Sequence, residues 1–591
     1  MYHRSASNRR PHIYQTAQNQ RPPQSQRFVA PSGQLIRSRR LHPITHLPSE
    51  LLVEVFKATI PANGGVLPTP TEPKQLYSLI TVCRFWRDII QNSAVFWQII
   101  DVGRRLEWLA LCLERSSHAM VKISFWSHEL NFADALKLLA SHSHRISTIA
   151  HPDLDPAALV ASGGSPVPFP MSGLQVLAVK IRKVGRPDRT APLFTLFDGY
   201  YPSLHTLCLN GFNFSIAQSC RSMVHIRYLA LVNVSPNVVY KLTDLLTMLG
   251  SCSSLTYLTL SLITVEGTVG GAAGGRMAEV TLHNLRQITV SSQKGVIRSL
   301  LSNVVIPPRA HVKLMTVPNH AERVAILTDM LPEEERIRDR ALPGLRLVSQ
   351  VKVVADKEVV SVIGVIGHGP HSGGKIELVA DVAKARRLPD EDIWTPLMIW
   401  YRTTLATLGR IFPPGPQLTT IEGVGDLEGM NDPAEWVPFS SSYPNVRDLV
   451  MEDCMGGGNS FYTFRALAGR LCPSQGVLFP RLENLRVRYA EASLMILTEI
   501  EGMVEWRIAQ RAPLKLLKLE LLNPGYRYHA ITDPHRRLSP MPIWDAWGPV
   551  LHTPNEVLEA LRSFEQKMRR LVPAFELVVL PRDSESERAS D

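Results

Sequence analysis

The chain has 591 residues, 45% hydrophobic and 20% charged, as in folded globular proteins, and its length predicts an elongated or repetitive architecture rather than one compact core. Its seven cysteines are scattered without a C-x-x-C pair, so we expect neither a disulfide framework nor a zinc site. We expect their thiols to be reduced, as in proteins of the cytoplasm or nucleus. The net charge of +11 comes largely from the first 40 residues, so we do not expect nucleic acid as a partner. No apolar run approaches the length of a membrane span, so we do not expect a membrane as a partner either.

The first 40 residues form a basic tail. Eight arginines lie between Arg4 and Arg40, and the first acidic residue is Glu50. Such a tail can bind nucleic acid, direct import or serve as a mitochondrial presequence. It lacks amphipathic spacing and is interrupted by four prolines, so we interpret residues 1–40 as a solvated, disordered arm.

Residues Leu47 to Ile100 have the pattern of three short amphipathic helices. The first follows Pro48, and its apolar residues recur at helical spacing. A Pro/Gly-rich spacer, Pro61–Pro73, separates it from a second periodic stretch, Leu76–Ile90, and Val95 opens a third. So small a unit has little core of its own, and its apolar groups suit a docking surface.

This pattern resembles the F-box. The family pattern is matched by Leu47-Pro48, Glu50, Leu51-Leu52, Val55-Phe56, the block Val82, Cys83, Arg84, Phe85 and Trp86, and the pair Phe96-Trp97. The long spacer departs from the common form. The resemblance implies docking to the Skp-type adaptor of a cullin–RING ubiquitin ligase. The implied adaptor-binding residues are Leu47, Pro48, Leu51, Leu52, Val55, Phe56, Val82, Cys83, Trp86, Phe96 and Trp97. The alternative is a helical cap that uses the same residues as core.

A short motif with aliphatic residues at positions one, four and six recurs along the rest of the chain. Its copies are Leu204-Leu207-Leu209, Ile226-Leu229-Leu231, Leu255-Leu258-Leu260, Leu285-Ile288-Val290, Val446-Leu449-Met451, Leu482-Leu485-Val487 and Leu514-Leu517-Leu519, with weaker copies near Ile146 and Leu174. The alternation indicates a strand with one buried face, and the stretches between copies have helical periodicity.

A strand and a helix repeated every 22 to 36 residues resemble the leucine-rich repeat. The resemblance implies an α/β fold: a small three-helix unit followed by an irregular solenoid, with a curved parallel sheet and helices on its outer face. The repeats are irregular, because the Asn or Cys usual after the last aliphatic residue is matched only by Cys454. The expected domains are 41–102 and 103–580, with a disordered tail at 581–591. An ordinary α/β domain with short parallel strands is the alternative.

The middle of the chain, from Lys294 to Gln417, is the least regular part. Within it, Glu358–Ile366 predicts a buried strand and Asp390–Gly409 a helix. Near the end, a capping box at Thr553–Glu556 predicts a helix to about Leu571 that caps the repeat domain.

The sequence contains no convincing catalytic or metal site. Gly369–Lys375 has the spacing of a phosphate-binding loop, but Ile376 stands where a hydroxyl would hold Mg²⁺. His368 and His371 lack further ligands, so a surface turn is the favoured interpretation. We therefore expect no cofactor and no enzyme activity, but a receptor that binds the adaptor and an unknown target protein. There are two alternatives. One is a repeat scaffold that binds the adaptor without directing any protein to degradation, and the other is a nucleotide-binding enzyme.

Overall fold

The computed structural model describes residues 47–59, 74–126, 131–161, 166–182, 193–197, 199–232, 239–266, 279–317, 326–355, 359–367, 373–381, 394–425, 433–453, 461–469, 476–492, 494–522 and 554–580. The predicted basic tail, the Pro61–Pro73 spacer, His368, His371 and the predicted tail at 581–591 lie outside these residues. The chain divides into two units, one ending at Val55 and one beginning at Phe56.

The described helices account for most of the segments with helical periodicity. They are α1 (Ser49–Thr59), α2 (Lys74–Val82), α3 (Arg84–Asn92), α4 (Leu106–Arg115), α5 (Phe132–Ala140), α6 (Pro156–Ala161), α7 (Ile216–Ser219), α8 (Leu242–Ser251), α9 (Lys294–Leu301), α10 (Glu335–Ala341), α11 (Trp394–Ile411), α12 (Pro433–Ser442), α13 (Phe461–Leu467), α14 (Leu494–Ala509) and α15 (Pro554–Leu571).

The described strands alternate with these helices along most of the chain. They are β1 (Ile99–Val102), β2 (Val121–Phe125), β3 (Ile146–Leu154), β4 (Val176–Ile181), β5 (Leu193–Phe194), β6 (Thr206–Asn210), β7 (Asn213–Phe214), β8 (Tyr228–Val232), β9 (Val239–Lys241), β10 (Tyr257–Ser261), β11 (Thr264–Glu266), β12 (Val280–Thr281), β13 (Gln287–Ser291), β14 (Val304–Val305), β15 (His311–Thr316), β16 (Val348–Ala355), β17 (Val359–Ile366), β18 (Lys375–Asp381), β19 (Thr420–Gly425), β20 (Asp448–Asp453), β21 (Asn484–Glu491), β22 (Leu516–Leu522) and β23 (Ala574–Leu580).

Seventeen of these strands form one large sheet that is almost entirely parallel. Its order is β1, β2, β3, β4, β6, β8, β10, β13, β15, β18, β17, β16, β19, β20, β21, β22 and β23. Short parallel pairs, such as β9 with β11 and β12 with β14, link successive strand–helix units away from the large sheet. The chain is therefore a mixed α/β protein with a helical N-terminal region and a large, mainly parallel sheet.

The core of the sheet region is built from the predicted aliphatic rows. In the seven clear copies of the motif, every residue at positions one, four and six is buried. Equivalent residues face one another across neighbouring strands, for example Leu229, Leu258 and Ile288. Helices such as α4, α11 and α15 contact strands β1, β16 and β23, and they bury apolar faces of their own.

The irregular middle is an antiparallel insertion. Strands β16, β17 and β18 form a meander in which β17 runs against both neighbours, and β18, not β16, pairs with β15. The chain therefore skips two strand positions after β15 and returns to fill them. The predicted strand Glu358–Ile366 corresponds to β17, and the predicted helix Asp390–Gly409 corresponds to α11.

Two further details differ from the sequence expectation. The second predicted helix is divided at Cys83 into α2 and α3, and the third is a single 3-10 turn, Ala94–Trp97, that leads into β1. The predicted capping helix is α15, but a further strand, β23, follows it and pairs with β22. The last described element is thus a sheet strand.

Candidate functional site

Helix α1 presents apolar side chains to solvent. Leu51 and Val55 are four residues apart on α1, which places them on one face, and Leu47 lies two residues before the helix begins. All three are exposed, Leu51 by 52%, whereas Leu52 is 0% exposed. The helix begins at Ser49, directly after Pro48, and the carbonyl of Pro48 accepts a hydrogen bond from the amide of Leu52 at 3.1 Å. These three residues are called the α1 stripe below.

An aromatic cluster forms the core of the second unit's N-terminal part. The ring of Phe56 lies 4.6 Å from that of Trp86 and 6.2 Å from that of Phe96, measured between centroids. The indole N–H of Trp97 donates to the carbonyl of Ile90 at 2.9 Å, so its polar group is satisfied while the ring is buried. These contacts fix α3 against the 3-10 turn.

Cys83 explains why the second predicted helix is two helices. Its backbone is extended, and its sulfur accepts a hydrogen bond from the amide of Trp86 at 3.4 Å, which caps the start of α3. Residues with a side-chain acceptor favour this cap position, although cysteine is an uncommon choice. The break leaves Val82 58% exposed, with Cys83 and Phe85 also exposed.

The predicted adaptor-binding residues thus fall into groups by exposure. Those that reach solvent are Leu47, Pro48, Leu51, Val55, Val82 and Cys83. Trp86 is half-buried, and the buried ones are Leu52, Phe56, Phe96 and Trp97. Helical periodicity in the sequence does not distinguish the exposed residues from the buried ones. Both are apolar, and which side of a short helix faces solvent depends on the rest of the fold.

The opposite face of the large sheet, away from the aliphatic rows, is a second candidate surface. Thr259 on β10 is half-buried and Arg486 on β21 is exposed, and Thr256 and Glu483, which directly precede these strands, are half-buried. On β6, β8 and β10 this face carries uncharged groups, including the rings of Tyr228 and Tyr257, 5.8 Å apart. Burial raises the pKa of the neighbouring Cys208 thiol to about 12, so it stays protonated and is a poor nucleophile.

In the C-terminal half, the same face carries ion pairs between residues of neighbouring strands. Lys352 contacts Glu422 at 2.6 Å, and Lys518 contacts Glu576 at 3.1 Å. Between them is a cleft of about 200 Å³, lined by Gln350, Thr420, Glu422, Asp448, Leu449, Val450, Asn484, Arg486 and Arg488. The sequence motif could not locate this cleft, because the strands carrying Gln350 and Thr420 belong to units that the motif did not detect.

The segment with phosphate-loop spacing has a different context from a nucleotide site. Gly373 to Lys375 are described, and they lead from the hairpin after β17 into β18, whereas a phosphate-binding loop precedes a helix. Lys375 contacts Glu377 at 2.9 Å. Burial opposes ionisation of Glu377, but hydrogen bonds from Lys313 and Lys375 lower its pKa. The lysine is thus engaged by a carboxylate within the sheet.

The described residues offer neither a membrane-spanning helix nor a cluster of metal ligands. No helix among them is both long and apolar enough to cross a membrane. Within the same residues, no group of three or more His, Cys, Asp or Glu side chains is arranged to hold a metal ion.

The comparisons with known proteins bear on the helical region. Residues 44–102 match the model of the F-box-like family. No curated protein matches the chain. The matched segment contains α1, the aromatic cluster and the Cys83 cap, and it ends with β1. The match supports the identification of the chain as an F-box protein, with its F-box-like domain at residues 44–102.

Proposed function

We propose that the protein is the substrate-recognition subunit of a Skp–cullin–F-box ubiquitin ligase. The F-box-like domain suggests a role in recognition within such complexes. The observation that carries the proposal is the α1 stripe: Leu51 and Val55 expose apolar surface on one face of α1, and Leu47, just before the helix, is exposed as well. Contiguous exposed apolar groups mark interaction surfaces, and their burial on binding contributes roughly 25 cal/mol per Å².

We assign direct adaptor contact to the predicted residues that reach solvent, which are the α1 stripe, Pro48, Val82 and Cys83. The buried residues Leu52, Phe56, Phe96 and Trp97 then act indirectly, by holding the helices that carry the contacts. This division changes how the site is tested, because a charge at a buried position disrupts the fold as well as any interface.

For the rest of the chain, we propose an irregular leucine-rich repeat array that binds the target protein. The in-register aliphatic rows, and the short parallel pairs that link successive units, are the pattern expected when each unit covers its neighbour's apolar face. The exposed face of the sheet then presents side chains to a target. Ubiquitin transfer belongs to other subunits, and this chain contributes proximity by raising the local concentration of its target. Such a complex would work in the cytoplasm or nucleus.

The central experiment places a charge on the α1 stripe. The full chain, a Leu51→Asp variant and a Leu558→Asp variant are each titrated with a purified Skp-type adaptor. Leu558 is the matched control, since it is an exposed leucine (40%) on helix α15. We expect Leu51→Asp to weaken adaptor binding at least about a hundredfold, because a carboxylate in a dry contact loses its hydration. Leu558→Asp should bind as the unaltered chain does.

Equal adaptor affinity of the Leu51→Asp and Leu558→Asp variants, with both folded, would rule out the α1 stripe as the contact. A second experiment separates a receptor from a scaffold. Proteins that co-purify with the chain from cells are quantified with and without inhibition of the cullin. Accumulation of a co-purifying protein is expected of a degradation target, and its absence would favour the scaffold.

A further inference from the structure

The charged half of the sheet face has one cation that its own strands leave unpaired. Three in-register rows cross β16 and β19 to β23. The row through Arg486 is Lys352, Glu422, Val450, Arg486, Lys518 and Glu576. Glu422 pairs with Lys352, and Glu576 pairs with Lys518. Arg486 therefore stands between the apolar Val450 and the like-charged Lys518.

The neighbouring row, nearer the carboxyl ends of the strands, shows the opposite situation. Arg488 has an acidic residue on each side, with Glu452 at 3.4 Å and Glu520 at 3.8 Å. On the other side of Arg486, the carboxylate of Asp448 accepts a hydrogen bond from the Asn484 amide at 2.6 Å. Among the described cations in these three rows, Arg486 alone has no carboxylate within ion-pair distance.

The guanidinium of Arg486 is exposed to solvent, and the residues opposite it on β20 and β22 supply no carboxylate. Lys518, opposite Arg486, is compensated by Glu520 at 3.6 Å and Glu576 at 3.1 Å, so these carboxylates serve the lysine. An oxyanion beside Arg486 would pair with its charge and accept two parallel hydrogen bonds from the guanidinium. Arg486 also lines the cleft of about 200 Å³, which has room for a side-chain carboxylate.

The other charges of the cleft limit the ligand to a single negative charge. Glu422, Asp448 and Arg488 line the same cleft as Arg486, and the charge of Arg488 is already paired with Glu452 and Glu520. Two carboxylates so close to one guanidinium disfavour a dianion such as phosphate, and their oxygens can accept N–H groups from a peptide backbone. A glutamate or aspartate side chain on an extended segment satisfies both conditions.

We propose that this cleft is a recognition pocket for a carboxylate side chain of the target protein, with Arg486 as its specificity-determining residue. The inference rests on the proposed function only in calling the ligand a target, since the pocket itself belongs to the sheet and not to the F-box-like domain. Recognition would then require an acidic residue in the segment of the target that lies across β19 to β21.

The test uses the full chain bound to purified adaptor, and heptapeptide libraries with random flanks and one fixed central residue. The central residue is Glu, Gln, phosphoserine or Lys, and bound peptide is quantified by mass spectrometry. We expect the Glu library to be retained about tenfold more than the Gln library, as a charge-assisted bidentate pair predicts. Arg486→Gln should abolish this preference, and Arg486→Glu should shift it towards Lys.

Arg569→Gln is the control, because it removes the same charge from helix α15. It should keep the preference for Glu. Equal retention of the Glu and Gln libraries, or a Glu preference that survives Arg486→Gln, would overturn the proposal. Stronger retention of phosphoserine than of Glu would replace the carboxylate by a phosphate and so overturn the assigned ligand. Loss of adaptor binding with peptide selection intact would count against the ligase assignment alone.

Discussion

The rings of Phe56 and Trp86 lie 4.6 Å apart in the F-box-like domain. The sequence predicts both as adaptor contacts; Phe56 is buried and Trp86 is half-buried, so in the free chain their packing also holds α3. An apolar motif residue can be required for binding because it faces the partner or because it supports one that does. Burial distinguishes the two roles, and it directs mutations to Leu51 rather than Leu52.

The first prediction concerns where the chain can be shortened. Strand β1 lies within the F-box-like match yet pairs in register with β2, and Trp97 contacts Trp108. We expect a chain that begins at Gly103 to melt at a lower temperature than one that begins at Cys83. The shorter chain loses β1, which uncovers an edge of β2, and it loses the buried Trp97.

Thermal unfolding followed by circular dichroism measures the difference between the two chains. Neither should bind the adaptor, because both lack the α1 stripe. Equal melting temperatures would mean that β1 contributes nothing to the sheet, and the domain boundary could then stay at residue 102.

The second prediction concerns the aliphatic rows. Leu258 faces Leu229 and Ile288 in register, and Leu485 faces Leu449 and Leu517. Both are buried, so Leu258→Ala and Leu485→Ala should each lower the free energy of unfolding by roughly 2–5 kcal/mol. Urea denaturation measures this loss. Thr259→Ala, on the opposite face of β10, is the control; it removes a hydrogen bond with Tyr228 and should lower the free energy of unfolding by only about 1 kcal/mol. A loss as large for Thr259→Ala would contradict the assigned faces.

How much of the sheet could be predicted depends on which interactions are local. The buried positions of the seven motif copies follow from alternation within one strand, and all of them are buried. The strand β17 was also recognised, since Glu358–Ile366 is an apolar run, but its antiparallel direction depends on which distant strands it meets. Alternation carries no information about direction or partner, so the insertion between β15 and β19 could not be derived.

The charged cleft illustrates the same limit at the level of a site. Alternation predicts that Arg486 faces solvent, because it lies between the motif residues Leu485 and Val487, and it is exposed. Its lack of an acidic partner depends on which residues of β20 and β22 stand opposite, namely Val450 and Lys518. That information exists only once the strand register is known.

The third prediction concerns a buried guanidinium that joins α14 to the loop before β21. Arg507 is 0% exposed and donates to the carbonyls of Leu478 at 3.0 Å, Phe479 at 3.1 Å and Ala512 at 3.2 Å. Burial lowers its pKa to about 10, so it remains charged at neutral pH. Arg507→Met should lower the free energy of unfolding by about 3 kcal/mol, because buried carbonyl oxygens lose their donors.

The comparison for Arg507 is Arg569→Met on the exposed side of α15, where a change within about 0.5 kcal/mol is expected. Both variants are measured by urea denaturation at pH 7. If Arg507→Met were as stable as Arg569→Met, the three hydrogen bonds would contribute no net stability, and the methionine would pack as well as the arginine.

The last prediction is a pH dependence that arises from His151 on β3. The imidazole is buried and packs against Phe125 and Phe132, with ring centroids 5.4 Å and 5.3 Å away. Burial lowers its pKa from 6.5 to about 4; the carboxylate of Asp153 opposes this shift, and the guanidinium of Arg182 adds to it. The folded protein therefore holds His151 neutral at pH values where an unfolded chain would protonate it.

The sign of the effect follows from proton binding. Between pH 6.5 and about 4 the unfolded state binds a proton at His151 that the folded state does not, so stability falls as the pH falls through this window. The total loss from this one group is about 3 kcal/mol, since each pKa unit corresponds to about 1.4 kcal/mol. Above pH 6.5 neither state is protonated at this residue, and the contribution is constant.

His151→Phe isolates this contribution, because phenylalanine fits the aromatic surroundings and cannot take up a proton. The variant loses the hydrogen bond that the ring accepts from the amide of Asp153 at 3.4 Å. This loss lowers the free energy of unfolding of the variant by the same amount at every pH. Urea denaturation of both proteins at pH 7.5, 6.0 and 5.0 gives the comparison. The unaltered protein should lose more stability than the variant on acidification, by about 2 kcal/mol at pH 5.0. Parallel pH profiles would mean that the imidazole is protonated as readily in the folded state as in the unfolded one.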